Sequence, residues 1–332
     1  MTNTSIAPSS VDLDILLGPD AKRSPDMQAV WDWLIEQDGT MPNWLDMSPA
    51  EARQQQDRAY ARWNSELPVM ASVEMVTLAG SPAVQAELLV PKGAIPGCIL
   101  FFHGGGWAFG GLQSHARFMR LLAEATQTRV LGVDYRLAPE HPYPAPLEDC
   151  VSAWRAIVAN RNDPGFDGPL AVAGDSAGAN LALAVILSEI DADRRKPDLG
   201  LLFYGAYDND FESPSYTRFA EGFGLTRSGM QRFWEWYVPP GSTARDNPLV
   251  WPAEASEPDL ARLPPVFLNA AGLDPLLCDT VALAKRIEAA GVPHRLAIHD
   301  GVHHGFMQMS LRLPEARNAI RQAAVFFTET VG

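Results

Sequence analysis

One serine lies in a sequence pattern that supports nucleophilic catalysis. Ser176 is the centre of Gly174-Asp175-Ser176-Ala177-Gly178, which follows the apolar run 170–173 and precedes a helical pattern over 179–190. A strand that turns sharply into a helix around Gly-x-Ser-x-Gly presents its serine at the end of a sheet on a strained turn. The glycines prevent collisions across this turn, and the N-terminus of the helix favours negative charge. We therefore predict that Ser176 is a nucleophile, and a plain glycine-rich turn is the weaker alternative.

Three consecutive glycines give a second chemical signal. The segment His103-Gly104-Gly105-Gly106-Trp107 follows the apolar run 99–102. Bare amide N–H groups in such a loop can bind the oxyanion of a tetrahedral intermediate. The candidate donors are the amides of Gly104, Gly105, Gly106 and Ala177. Among the glycines, Gly105 and Gly106 are preferred, and His103 is expected to orient the loop rather than to act as a base. A phosphate-binding loop is disfavoured because no Gly-Lys-Ser/Thr follows.

The serine needs a general base and an acid that orients it. In a chain with a nucleophile of this kind, the acid follows a later strand and the histidine comes last. Asp274 follows the apolar run 266–271, and two adjacent histidines, His303 and His304, follow the last strand-like run. Sequence position alone leaves the two histidines equivalent. It also leaves two competitors for the role of Asp274, which are Asp279 and Asp300.

Alternating strand-like and helical patterns must position these groups. Runs typical of strands cover 73–78, 85–90, 99–102, 130–134, 170–173, 199–204, 266–271 and 295–299. Helical patterns lie between most of the later runs, at 116–125, 147–160, 179–190, 280–290 and 315–328. This alternation predicts an α/β fold with a mainly parallel, eight-stranded sheet covered by helices on both faces. The first two strands have no helix between them, so they should form an antiparallel hairpin at one edge.

Two regions lie outside this alternation. Up to about residue 68 the sequence predicts helices and loops, with helix starts at Ser24-Pro25 and Ser48-Pro49 and with Pro68 ending the second helix. The region from Tyr207 to about Val250 is too long for a simple connection and too aromatic for a linker. It should therefore fold as an insertion over the sheet.

Composition narrows the class of partners. The 332 residues, of which 47% are hydrophobic and 20% charged, are typical of a soluble globular protein. A net charge of −14 argues against nucleic acid, because nothing would neutralise the phosphates. The three cysteines have no paired spacing, and a metal site at His299, His303 and His304 lacks further ligands. No signal peptide and no run of about 18 apolar residues is evident, so we expect a cytoplasmic protein.

Taken together, the motifs resemble one family. They match, in order and spacing, the hormone-sensitive-lipase-like (family IV) bacterial carboxylesterases of the α/β-hydrolase fold, GDSAG type. The matching segments are His103–Trp107, Asp134–Glu140, Gly174–Gly178, Asp274–Leu276 and His304–Phe306. Ala179 departs mildly from the family, where many members have glycine. The resemblance spans about Val73 to the end. It implies that Asp274 and His304 complete a triad with Ser176, that His303 is a neighbour, and that Gly105 and Gly106 join Ala177 in the oxyanion hole.

The resemblance also implies a function and an organisation. Members hydrolyse short-to-medium-chain carboxylic esters through an acyl-enzyme, need no cofactor and often form homodimers. The expected partner is thus a small-molecule ester, with no nucleic acid and no membrane. Residues 1–60 would form a helical cap segment, and about 207–250 a cap insertion, on a catalytic domain of residues 61–332. Amide hydrolysis and acyl transfer stay open as related chemistries. A non-catalytic binding protein of the same fold is the alternative class, disfavoured because both serine and histidine are present.

Large apolar residues near the motifs are candidates for the wall of the substrate pocket. The predicted set is Trp107, Phe109, Phe223, Leu225 and Phe306. By contrast, the segment Asp134–Glu140 is expected to shape the loop beneath the oxyanion strand rather than to take part in the chemistry.

Overall fold

The strands form one sheet. The computed structural model describes residues 6–39, 43–163 and 165–332. The strands in this part of the chain are β1 (Ser72–Leu78), β2 (Val84–Val90), β3 (Ile95–Phe102), β4 (Thr128–Asp134), β5 (Leu170–Asp175), β6 (Leu199–Phe203), β7 (Val266–Leu273) and β8 (His294–His303). Their order across the sheet is β1-β2-β4-β3-β5-β6-β7-β8. Strand β2 is antiparallel to both β1 and β4, and the other neighbours are parallel. The predicted fold class and the antiparallel edge hairpin are confirmed.

Helices cover both faces of this sheet. They are α1 (Leu13–Leu16), α2 (Pro25–Asp38), α3 (Pro49–Ala61), α4 (Ala116–Thr126), α5 (Ala145–Ala159), α6 (Ala177–Asp191), α7 (Pro214–Arg218), α8 (Arg227–Tyr237), α9 (Glu257–Leu260), α10 (Leu277–Ala289) and α11 (Pro314–Val331). Successive side chains of a strand face opposite sides. In β3, Leu100 and Phe102 therefore belong to the hydrophobic cluster that includes residues of α5, α6 and α10, while Ile99 and Phe101 belong to the cluster that includes residues of α4 and α11. Because both faces are covered, β5, β6 and β7 are buried along their whole length, and Asp175 and Asn269 are their polar residues.

The parallel strands bring the chemically important loops to one edge. Strands β3, β5, β7 and β8 run in the same direction, so the residues that follow them leave the sheet on the same side. The glycine loop follows β3, Ser176 follows β5, Asp274 follows β7, and His304 follows β8. Four segments that are far apart in sequence thus meet at the carboxyl edge of the sheet.

The N-terminal residues pack at the β8 edge and beside the glycine loop. Ile6 forms an antiparallel bridge with Leu296 of β8. Helix α2 is capped by Ser24, whose hydroxyl accepts from the amide of Met27, and α3 is capped by reciprocal hydrogen bonds between Ser48 and Glu51. The two predicted helix starts are therefore confirmed.

The predicted end of the second helix is wrong. Helix α3 stops at Ala61 rather than near Pro68, and the chain continues through a 3-10 turn over Arg62–Asn64. This turn buries Trp63 against α2, where its ring contacts that of Trp33. The region 207–250, for which the sequence predicts an insertion, holds α7 and α8. Among the described residues, no helix combines the length and apolar character needed to cross a membrane.

Candidate active site

Ser176 occupies a strained position between β5 and α6. Its backbone has φ 55° and ψ −120°, and its N–H donates to the carbonyl oxygen of Phe203 at 2.8 Å. A Cβ on Gly174 would collide with the carbonyl of Gly178, and one on Gly178 would collide with the carbonyl of Phe102. Both glycines are therefore required by close backbone contacts at this turn. The turn directs the Ser176 side chain away from the sheet and leaves 7% of the residue exposed.

Three of the predicted site residues form a continuous chain of hydrogen bonds. The Oγ of Ser176 lies 2.8 Å from Nε2 of His304, and Nδ1 of His304 lies 2.7 Å from Oδ2 of Asp274. The other carboxylate oxygen of Asp274 accepts the amide of Leu276 at 2.9 Å. A carboxylate at Nδ1 favours the tautomer in which Nδ1 carries the hydrogen, so Nε2 is left as an acceptor for the serine hydroxyl. This arrangement is able to remove a proton from Ser176.

The other candidates for the base and for the acid lie away from Ser176. The side chain of His303 faces Arg23, whose Nε donates to its Nε2 at 2.8 Å. Asp279 is buried and accepts the amides of Tyr207 and Asp208, and Asp300 is exposed at the surface. The described residues contain no group of three or more His, Cys, Asp or Glu that could hold a metal ion. The structure therefore separates the two adjacent histidines that sequence position could not separate.

The glycine loop supplies fewer free amides than predicted. The N–H of Gly104 donates to Oδ1 of Asp175 at 2.9 Å, so this amide is directed into the protein and is removed from the predicted donors. Ala177 is the first residue of α6, and its N–H has no acceptor within the helix. The N–H groups of Gly105 and Gly106 donate no hydrogen bond to any of the described residues. Three of the four predicted donors are therefore available to an oxyanion.

A buried polar network that sequence reasoning missed holds the loop from below. Asp175 contacts Nε2 of His115 at 3.2 Å and accepts from the Tyr204 hydroxyl at 3.3 Å. Burial by itself would raise the pKa of Asp175, but the charge and hydrogen bond of His115 and the Gly104 amide outweigh it and lower that pKa. Asp175 thus stays an anionic acceptor under the glycine loop. The sequence signal for this role of Asp175 was its position next to Ser176 in the Gly-x-Ser-x-Gly motif.

His103 packs within the same layer. Its ring stacks on Tyr135 at 4.2 Å between centroids, and its Nδ1 lies 2.8 Å from the carbonyl oxygen of Gly104. Burial, together with the nearby His115, lowers the pKa of His103 to about 3. A neutral, stacked imidazole in contact with Gly104 suits the orienting role expected for it.

The predicted pocket residues fall into different environments. Trp107 is fully buried and stacks on Tyr237, with 4.4 Å between centroids. Phe306 is also fully buried and packs on the opposite face of the sheet near Tyr204. Phe223 and Leu225 belong to the insertion and are half-buried, and Phe109 contacts Phe233 of the insertion. The five residues therefore do not form one continuous wall.

Phe233 of α8, which no sequence motif marks as a site residue, lies against the glycine loop. A Cβ on Gly106 would overlap its ring. Trp44 stacks on the same ring at 4.7 Å, and Phe109 meets it edge-on at 5.2 Å. Together with Trp236, these residues form an aromatic cluster directly over the glycine loop. The only sequence signal was the high aromatic content of the insertion and of the N-terminal segment.

Comparison with known proteins identifies the family of this chain. Residues 99–308 match a family model described as the alpha/beta hydrolase fold. The chain is 37% identical over 224 residues to carboxylesterase NlhH of Mycobacterium tuberculosis, a match that covers 67% of this chain and 70% of that protein. The chain therefore belongs to the α/β-hydrolase family.

Solved structures narrow the class further. An ester hydrolase from the Lake Arreo metagenome, solved with a bipyridine phosphonate derivative, is 32% identical with a TM-score of 0.86, over 92% of this chain and 99% of that one. A thermostable esterase from Pseudomonas putida is 30% identical with a TM-score of 0.87, over 95% and 99% of the two chains. The protein is a serine ester hydrolase of the hormone-sensitive-lipase-like carboxylesterases. The family resemblance and the enzyme class predicted from its sequence are confirmed.

Proposed function

We propose that the protein hydrolyses short-to-medium-chain carboxylic esters through a Ser176–His304–Asp274 triad and an acyl-enzyme intermediate. The observation that carries the proposal is the chain of hydrogen bonds from Ser176 Oγ through both nitrogens of His304 to Asp274, at 2.8 and 2.7 Å. Nucleophile, base and orienting acid each follow a different strand at one edge of the sheet. This is the geometry that activates a serine.

Each step assigns one task to a residue of this chain. His304 Nε2 takes the Ser176 proton as Oγ attacks the ester carbonyl, and Asp274 stabilises the imidazolium that forms. The amides of Gly105, Gly106 and Ala177 hold the oxyanion. His304 then returns its proton to the leaving alcohol as the ester bond breaks. Water repeats the sequence on the acyl-enzyme and releases the acid and free Ser176.

The N-terminal segment 1–60 and the insertion at about 207–250 are proposed to act as a cap over this site. The aromatic cluster supports the idea, because Trp44 of the first segment packs on Phe233 and Trp236 of the second, and Phe233 lies against Gly106. A closed aromatic cover excludes water and favours small apolar acyl groups. A homodimer stays a prediction, which light scattering in solution would check.

The experiment combines labelling with turnover. A nitrophenyl ester should give a burst of nitrophenol equal to the enzyme concentration when deacylation is slow, and a phosphonate should add to Ser176 in the mass spectrum. Ser176→Ala should lower kcat about a million-fold with the melting temperature preserved. Ser188→Ala, in the same helix but away from the turn, is the matched control and should keep full activity. An adduct on another serine, or an active Ser176→Ala variant, would refute the proposal. A non-catalytic binding protein would give no burst.

A further inference from the structure

Arg23, just before α2, joins three separate parts of the chain. Its Nε donates to Nε2 of His303 at 2.8 Å, and one of its terminal nitrogens donates to the carbonyl oxygen of Gly222 in the insertion. The guanidinium also lies over two rings, at 4.6 Å from Trp31 and 5.3 Å from Phe223. A planar guanidinium can bind along its edge and stack on its faces at the same time, which lysine cannot do.

The Arg23 bond is the polar contact that orients the His303 ring. His303 is 1% exposed, and its Nδ1 has no hydrogen-bond partner among the described residues. Because Nε2 accepts from Arg23, the neutral ring must carry its hydrogen on Nδ1. Trp31 and Phe223 confine the ring edge-on, with centroids at 4.9 and 5.7 Å. Two aromatic contacts and one hydrogen bond thus fix the side chain.

The backbone links this ring to the active site. His303 is the last residue of β8 and is paired with Leu273, the last residue of β7. The residue that follows each strand belongs to the proposed triad: His304 follows β8, and Asp274 follows β7. A shift of the His303 ring would therefore move the backbone that carries His304 relative to Asp274.

The residues beside Arg23 are also held against the end of β8. The amide of Ser24 donates to the carbonyl oxygen of Gly301 at 2.9 Å, and the Ser24 hydroxyl donates to Glu315 at 2.7 Å. These bonds hold the segment 22–24 against the end of β8. On its other side, Arg23 reaches the insertion at Gly222, so both proposed cap segments meet at His303.

We propose that Arg23 is a positioning residue for the general base: through His303 it aligns His304, and through Gly222 it makes that alignment depend on the cap segments being in place. The inference rests on the proposed role of His304. The hydrogen bonds and ring contacts of Arg23 go to His303, Gly222, Trp31 and Phe223 and not to the proposed triad, so its effect is on geometry. A displacement of about 1 Å in a reacting group can cost roughly a hundredfold in rate.

The test compares variants that remove the bond with variants that keep it. Arg23→Gln and His303→Leu both remove the hydrogen bond, whereas His303→Gln keeps an acceptor for the Arg23 Nε–H. Arg62→Gln is the matched control, because Arg62 pairs with Asp38 in the same N-terminal region and lies over Trp33, away from His303. The measurements are kcat and KM on a soluble nitrophenyl butyrate, and the melting temperature.

We expect Arg23→Gln and His303→Leu each to lower kcat about ten- to a hundredfold with KM changed less than threefold. His303→Gln should recover most of the loss, and Arg23→Lys only part of it, because one ammonium cannot hold both His303 and Gly222. The double variant Arg23→Gln/His303→Leu should be no slower than either single variant, as expected for residues that act through one contact. Arg62→Gln should keep wild-type kcat at a similar melting temperature.

Equal kcat values for Arg23→Gln and Arg62→Gln, or additive losses in the double variant, would overturn the inference. If Arg23→Gln does not fold, the comparison of His303→Gln with His303→Leu decides, and equal kcat values there would overturn it as well. His304→Ala separates the two proposals. An active His304→Ala variant refutes the proposed function, whereas an inactive one beside fully active Arg23 variants refutes only the positioning role.

Discussion

The ring of Phe233 fills the space that a side chain on Gly106 would need. Phe233 belongs to the insertion helix α8, and Gly106 belongs to the glycine loop, so the proposed cap and the proposed oxyanion hole are in direct contact. Gly106 also has φ +61°, which disfavours a side chain. The position of this loop therefore depends on packing from above as well as on Asp175 from below.

The first prediction follows from this contact. Gly106→Ala should displace the loop and lower kcat about a hundredfold or more, the loss typical of a missing oxyanion donor. Gly111→Ala is the matched control in the same loop, because a Cβ there would meet nothing within 4 Å. The double variant Gly106→Ala/Phe233→Ala should recover part of the loss as the clash is relieved. Steady-state kinetics on one ester would check this, and equal activity of the two alanine variants would contradict it.

The second prediction concerns the tautomer of His304. In Asp274→Asn, the side-chain oxygen would keep the amide of Leu276, which leaves the NH₂ group facing Nδ1 of His304. Nδ1 must then accept, so Nε2 carries the hydrogen and cannot take the serine proton. We expect kcat to fall about ten-thousandfold with little change in KM.

A control for this variant is Asp279→Asn, which alters a buried carboxyl that accepts two backbone amides away from Ser176. Its kcat should stay within a few-fold of wild type. If Asp279→Asn were the inactive variant and Asp274→Asn the active one, the acid of the triad would have been assigned to the wrong residue.

Features that depend on neighbouring residues in the sequence were predictable. The central strands are largely apolar because helices cover both faces, and the Ser176 turn is marked by two glycines, Gly174 and Gly178, at which a Cβ would collide with backbone atoms. The order of strands then placed Asp274 and the histidine pair at the same edge of the sheet. These predictions needed only local patterns and the rule that parallel strands end on one side.

Features that depend on side-chain direction were not predictable. His303 and His304 are adjacent, so spacing could not separate them, although consecutive residues of an extended chain face opposite sides. The contact of Arg23 with His303 joins residues 280 positions apart and requires the docked N-terminal segment. The sequence predicted Gly104 as an oxyanion donor, but its N–H donates to the side chain of Asp175. That hydrogen bond depends on the side-chain conformation of Asp175, which sequence does not give. The helix end at Ala61 lies before Pro68, in a chain that turns to bury Trp63 against Trp33, a contact that no local signal indicates.

The third prediction is loss of stability in mild acid. Burial lowers the pKa of three histidines, His103 and His303 to about 3 and His299 to about 4. In the unfolded chain they protonate near pH 6.5. Below that pH the unfolded state therefore binds more protons, and the free energy of unfolding falls as pH falls toward 4. Asp279, whose pKa burial raises, acts in the opposite direction and offsets part of the slope.

The measurement is the free energy of unfolding by urea from pH 4.5 to 7.5. His299→Gln removes one of the three titrating groups, so below about pH 6 the slope should become shallower by up to about 1.4 kcal/mol per pH unit, and above about pH 7 it should not change. His294→Gln, at a half-buried position near the start of β8, is the control. An unchanged slope in His299→Gln would show that this histidine is protonated in the folded protein as well.

The last prediction is that the aromatic cluster limits the acyl chain. Trp44 is half-buried, stacks on Phe233 at 4.7 Å and meets Phe109 edge-on at 5.1 Å. It therefore covers the Phe233 ring, which lies against Gly106. In the wild type, kcat/KM on nitrophenyl esters should rise with acyl length, by about 0.8 kcal/mol per methylene that fits. It should then fall once the chain meets this wall, with the optimum between about two and eight carbons. Trp44→Ala should move the optimum to longer chains.

The control is Trp33→Ala, which removes a tryptophan of α2 that packs on Trp63 and Arg312 instead of on the cluster. It should lower stability without moving the optimum, because no atom near Gly106 changes. The series from acetate to dodecanoate, measured below the micelle concentration of each ester, checks both variants. If both optima move equally, loosening of the N-terminal segment sets the chain length. If neither moves, the wall lies elsewhere and the aromatic cluster only supports the glycine loop.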